Sequence, residues 1–155
     1  MRTITNLKTL LLMGSVLFAT HIFCYSPPDF QTQCVTLNTD GYIVLKVWSP
    51  RKGNKYKLNQ ARKDAVKAVL FAGLGGGGNC TSQSPLLNSA DERDKFHQIH
   101  KSFFSRNGDW LMYTNSSNVN YDAKGNRIYE ISVSKEQLRK NLENQEIIKK
   151  LNHGF

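Results

Sequence analysis

Residues 73–80, GLGGGGNC, open with the spacing Gly-x-Gly-x-x-Gly, and what flanks them decides the fold class. In a dinucleotide-binding α/β fold these glycines leave a strand and open a helix, whose N-terminus then holds the pyrophosphate. Here the order is reversed. Leu58, Ala61, Ala65, Ala68, Val69 and Ala72 recur at three- and four-residue intervals, so the spacing predicts a helix over 58–72 that runs into the glycines. Four alanines on that stripe let the helix lie close to a sheet. Gly73 is the expected left-handed residue past the helix end, and Thr81-Ser-Gln-Ser-Pro85 leads away as a loop. No Gly-Lys-Ser or Gly-Lys-Thr is present to form a nucleoside triphosphate loop. The run 73–78 therefore reads as a helix stop and connector, and no cofactor is expected.

Upstream, Tyr42–Trp48 (YIVLKVW) follows Asp40-Gly41, ends at Ser49-Pro50 and is rich in β-branched and aromatic residues, which predicts a strand. Ile43, Leu45 and Val47 share one face; Tyr42, Val44, Lys46 and Trp48 share a second, partly covered one. Downstream, Ser89-Ala-Asp-Glu92 is a capping box. It starts a helix with Phe96, Ile99, Phe103 and Phe104 on its apolar stripe and an end near Asn107-Gly108. Trp110–Thr114 (WLMYT) reads as a strand, the following TNSSNVNYDAKGN as a polar, turn-rich loop, and Arg127–Val133 (RIYEISV) as the next strand. Ser134-Lys-Glu-Gln137 is a second capping box, stapled by Val133 and Leu138, for a helix reaching about Asn152. The expected fold is α+β in the order β-α-α-β-β-α, with about three helices on one face of a small antiparallel or mixed three-stranded sheet.

A length of 155 residues suits one domain, and 39% apolar with 21% charged residues excludes a wholly disordered chain. The first 24 residues differ. Arg2 and Lys8 precede TLLLMGSVLFATHIF, the layout of a secretory signal peptide, and this apolar run is shorter than the roughly 20 residues of a membrane span. The expectation is a signal peptide at 1–24, a single domain at 25–155, no transmembrane span after processing, and a periplasmic or secreted product. Lipidation at Cys24 is disfavoured because Phe23 is large where a small residue is required. The remaining cysteines, Cys34 and Cys80, are disulfide candidates in an oxidising compartment, against the alternative of two separate thiols.

The combination of GYIVLKVW, ARKDAVKAVLFAGL, FHQIHKSFFSRNGDW and ISVSKEQLRKNLENQEIIKKLNHGF resembles a family of small, uncharacterised exported proteins of Bacteroidota-type bacteria. More distantly, the strand followed by an alanine-studded ARxDA helix is similar to envelope assembly accessory lipoproteins. The resemblance implies an envelope location and an accessory role, and it brings no catalytic residues.

The formal charge is +9, and losing Arg2 and Lys8 with a leader leaves 19 basic against 12 acidic residues, or +7. No acid lies between Asp40 and Asp64, whereas Lys46, Arg51, Lys52, Lys55, Lys57, Arg62 and Lys63 gather there. These are the candidate partner-binding residues, for an envelope protein or another acidic surface. Solvated loop charge is the plainer reading of the same run. Export argues against nucleic acid. His97 and His100 share a helix at i, i+3 and are a weak metal pair without an evident third ligand. Ser102 lacks the Gly-x-Ser-x-Gly turn of a nucleophile elbow, and no carboxylate pair stands out. The favoured function is a non-enzymatic adaptor or assembly factor; the alternative is a small hydrolase or ligand-binding protein acting on envelope material.

Overall fold

The structure is a computed structural model, and it describes residues 29–77 and 79–151. The leader reading of 1–24 and the fate of Cys24 lie outside the described residues. Strand β1 (Gln31–Leu37) turns through Asn38–Gly41 into β2 (Tyr42–Trp48). Helix α1 (Leu58–Lys67) continues as a π-turn over Ala68–Ala72. Then come α2 (Ala90–Ile99), β3 (Thr114–Tyr121), β4 (Arg127–Ser134) and α3 (Lys135–Asn144). The sheet is antiparallel throughout, with strands in the order β1-β2-β4-β3.

The α+β class holds, but the described sheet has four strands rather than three, and the element order opens β-β. The extra strand is β1, QTQCVTL, whose polar edge sequence carries no strong strand signal. It forms because β2 supplies its ladder, with Gln31 opposite Trp48 and Cys34 opposite Leu45. The strand expected at WLMYT is instead a 3-10 turn over Asp109–Tyr113 that buries Trp110 and Tyr113. The strand lies one step later, in TNSSNVNY, read from sequence as loop. Asparagine and serine are poor strand formers, yet pairing with β4 from Thr114–Val133 to Tyr121–Arg127 overrides that local preference. The turn at 122–126 was legible: Asp122 Oδ1 accepts from the backbone N–H groups of Lys124 and Asn126, both at 2.8 Å.

One face of the sheet carries the core. Ile43, Leu45 and Val47 of β2 and Tyr129, Ile131 and Val133 of β4 are buried together with Ala61, Ala65, Val69, Leu138 and Leu142 from the helices. Helix α1 ends against chain that arrives later. The carbonyls of Val69 and Leu70 accept from the N–H groups of Leu86 and Leu87, and the Arg93 guanidinium donates to the Phe71 carbonyl. These donors satisfy oxygens that a helix end leaves unpaired. Gly73 follows with φ +74° and ψ −179°, positive in φ as a helix stop requires but extended in ψ rather than left-handed helical. A β-carbon there would lie 2.7 Å from the Gln83 carbonyl oxygen.

The Ser89–Glu92 capping box forms in full: the Glu92 N–H donates to Ser89 Oγ and the Ser89 N–H to Glu92 Oε2. Helix α2 stops at Ile99, which is exposed, and Phe103 enters the core from the turns beyond instead of from a continued helix. At α3 the expected box at Ser134 is absent. Ser134 closes β4, and the first turn is placed by the β1–β2 corner, where the Glu136 N–H donates to the Gly41 carbonyl. The corner needs glycine, since Gly41 has φ +78° and a β-carbon on it would meet Glu136 Cβ at 2.5 Å. Helix α3 also ends at Asn144, well before Asn152. Ile147 and Ile148 reach the core from the chain beyond it, and Leu151 is exposed.

Candidate functional site

The segment between β2 and α1 is held from beneath by one buried phenol. Tyr56 donates from its hydroxyl to Asp64 Oδ2 at 2.9 Å, while Tyr129 Oη donates to the Tyr56 carbonyl at 3.0 Å. Gln60 donates to the other Asp64 oxygen, and Lys67 lies 3.7 Å from it. Burial, and after it the Asp64 carboxylate, pushes the Tyr56 phenol far above the usual tyrosine range. Ser49, also buried, accepts at its hydroxyl from the Lys52 N–H, and the Gly53 N–H donates to the Ser49 carbonyl. With its backbone fixed in this way, the loop presents Arg51, Lys52, Lys55 and Lys57 as exposed side chains.

The seven basic residues singled out in the sequence do not form one patch. Arg62 is half-buried and structural: Nε donates to Thr114 Oγ1, and the guanidinium also reaches the carbonyls of Leu111 and Thr114. Lys63 donates to the Phe104 carbonyl at 2.7 Å, and both cations lie over the Trp110 ring. These two residues, both partly buried, fasten α1 to the segments before β3. Lys46 stands on the non-core face of β2, opposite Gln33 on one side and Glu130 on the other. Arg51 is exposed but paired with Asp29 at 2.7 Å. Lys52, Lys55 and Lys57 keep the surface role.

Beside that loop lies the β3–β4 turn. A β-carbon on Gly53 would sit 2.7 Å from Asn126 Oδ1, so the two loops touch. A shallow cleft of about 310 Å³ runs between them, lined by Trp48, Pro50, Asp122, Ala123, Lys124 and Asn126. The Asp122 carboxyl is held below its usual range chiefly by the hydrogen bonds from Asn126. It is spent on its own turn.

From this cleft the non-core face of the sheet extends in three rows across the strands. Gln31, Trp48, Ile128 and Asn120 form the row nearest the cleft; Gln33, Lys46, Glu130 and Asn118 the next; Thr36, Val44, Ser132 and Asn115 the third. Asn118 donates to Glu130 Oε2 at 3.2 Å. Val44, Trp48 and Ile128 are only partly buried and lie outside the core cluster. Sequence reasoning recognised the β2 side of this face but missed the β1 and β3 sides, because neither strand was legible as a strand.

The histidines are not brought together on a ligand. His97 stacks on the Phe71 ring at 5.7 Å, whereas His100 packs on Phe96 and hydrogen-bonds Gln145 Oε1. Among the described residues no group of three or more His, Cys, Asp or Glu is placed to hold a metal. A cleft of about 550 Å³ lies between the start of α2 and residues 143–150. It mixes Asp91, Glu143 and Glu146 with Lys95, Lys149 and Lys150 and includes neither histidine.

Cys34 and Cys80 form a disulfide, with Cα atoms 5.9 Å apart. It fastens the glycine-rich loop, closed on itself by backbone pairs Leu74–Gln83 and Gly77–Cys80, to strand β1. No described helix is long and apolar enough to cross a membrane. No protein-family model, no curated protein and no solved structure matches this chain.

Proposed function

We propose that this chain is a non-enzymatic accessory protein of the exported, envelope type, acting as an adaptor or assembly factor through protein contact. The observation that supports this reading is the one-sided packing of the fold. All three helices contribute to a core on one face of the sheet, leaving Trp48 and Ile128 only partly buried on the other, in the row nearest the basic loop. Trp48 and Ile128 are neighbours across the strands, and an apolar pair set in a polar face and bordered by charge has the composition of a small contact surface. Lys52, Lys55 and Lys57 have no acidic partner within ion-pair distance among the described residues, which suits an acidic partner protein. The disulfide is of the kind that persists in oxidising compartments, in keeping with the expected periplasmic or secreted location and with the resemblance to exported proteins.

The test is charge reversal at Lys52, Lys55 and Lys57 to Glu, with the fold checked by circular dichroism. Exposed lysines act mainly on encounter and orientation. The triple variant should therefore stay folded and lose binding to acidic proteins of the native envelope, and wild-type binding should weaken as salt rises. Trp48→Ala should weaken the same complexes with little salt dependence. Unchanged binding in both variants refutes the reading.

A further inference from the structure

Where the start of α1 meets the chain before β3 there is a cleft of about 280 Å³, lined by Asn59, Gln60, Lys63, Arg106 and Trp110. Two of its lining residues are cations and none is an acid. Lys63 uses one N–H on the Phe104 carbonyl, and an ammonium has three to give. Arg106 is exposed and has no acid within ion-pair distance; even Asp109, three residues on, does not pair with it. No acidic side chain lies outside the described residues, because all twelve Asp and Glu of the chain are among them. Nearby cations differ: Arg51 is held by Asp29, and Lys67 lies against Asp64.

We propose that this cleft receives a carboxylate side chain of an acidic partner protein, as a second anchor beside the lysine loop. The proposal rests on the adaptor reading above and names where such a partner is fixed. Lys57 immediately precedes α1, so the exposed lysines at 52, 55 and 57 lead along the chain to Asn59 and Gln60 in the cleft lining. The charge is complementary to an acid. A guanidinium meets a carboxylate with two parallel N–H donors, and an ammonium adds a point charge. The Asn59 amide brings neutral donors. Trp110, the one apolar lining residue, gives the methylenes of a Glu side chain a wall to pack on. Arg106 was not singled out in the sequence, because only the fold carries it to Lys63.

The probe is a fluorescein-labelled oligoglutamate peptide, titrated by anisotropy against the whole disulfide-bonded chain. Binding should weaken as salt rises, and Arg106→Glu should lower affinity by about tenfold or more. Lys150→Glu is an exposed reversal of equal net charge in the cleft beside α2, and it should change affinity by no more than about twofold. If Arg106→Glu fails to fold, Arg106→Gln and the amide spectrum of the wild type decide: the peptide should shift the signals of Asn59, Gln60 and Lys63. Shifts confined to 52–57 overturn the cleft and leave the adaptor reading standing. Equal losses in Arg106→Glu and Lys150→Glu also overturn it, since net charge then explains both. So does a response of these amides to inorganic phosphate but not to the peptide, or a loss of pelleting with phosphatidylglycerol vesicles in Arg106→Glu while peptide binding is unchanged. Peptide binding untouched both by Arg106→Glu and by reversal of Lys52, Lys55 and Lys57 sinks both readings.

Discussion

Tyr56 and Arg62 show how much of this fold hangs on single polar side chains drawn inward. Burial holds the Tyr56 phenol above its usual range, with Asp64 adding to the effect, and Tyr113 is raised in the same way by burial and then by Asp109. A phenol whose folded value is raised gives stability that is complete below the ordinary tyrosine value of about 10 and is lost as pH climbs beyond it. Tyr56 and Tyr113 should therefore ionise above the ordinary tyrosine range in an absorbance titration, and stability should fall on the alkaline side. Tyr56→Phe should lower stability at neutral pH by about 1–3 kcal/mol, because one Asp64 oxygen loses its donor inside the protein, and should flatten the alkaline fall. An alkaline stability profile that is the same in Tyr56→Phe as in the wild type would contradict this. Arg62→Ala should cost about 1–3 kcal/mol in urea unfolding, since the carbonyls of Leu111 and Thr114 lose a donor. Lys57→Ala, at an exposed position, should stay within about 0.5 kcal/mol of wild type. Equal costs for the two would mean that the Arg62 contacts contribute nothing.

Among the elements, β1 and the glycine-rich loop give the core only Cys34, Leu74 and Cys80, and they carry the covalent tether. Cys34 and Cys80 are 46 residues apart in sequence, and closing a loop of that size removes unfolded-chain entropy worth on the order of 4 kcal/mol. Replacing both cysteines by serine should lower stability by roughly that amount, with amide exchange in 74–83 and at the β1 edge rising before that in β2 or β4. An unchanged unfolding midpoint would show that the tether constrains little. Helix α3 is positioned by the β1–β2 corner through Gly41 and Glu136, so the loss of a capping box at Ser134 leaves its start fixed. The expected box failed there because Ser134 is taken up by the β4 ladder opposite Tyr42.

For the molecule as a whole, packing all helices on one side separates two kinds of basic residue that look alike in sequence. Arg62 and Lys63 become internal fasteners, whereas Lys52, Lys55 and Lys57 remain at the surface. An acid-free run is visible in any reading of the chain, but which of its charges face water depends on where α1 lands.

By itself the sequence determined the helix entering Gly73, the β2 strand with its buried Ile43, Leu45 and Val47, the capping box at Ser89–Glu92, the turn before β4 and the pairing candidates Cys34 and Cys80. Each of these is set by local periodicity, by turn and cap chemistry, or by the small number of cysteines. Only the tertiary structure decided that QTQCVTL and TNSSNVNY are strands, that DWLMY is a turn, and that α2 and α3 stop early. Edge strands of Gln, Thr, Asn and Ser have no strong preference of their own. They take β structure because β2 and β4 offer unpaired backbone groups beside them.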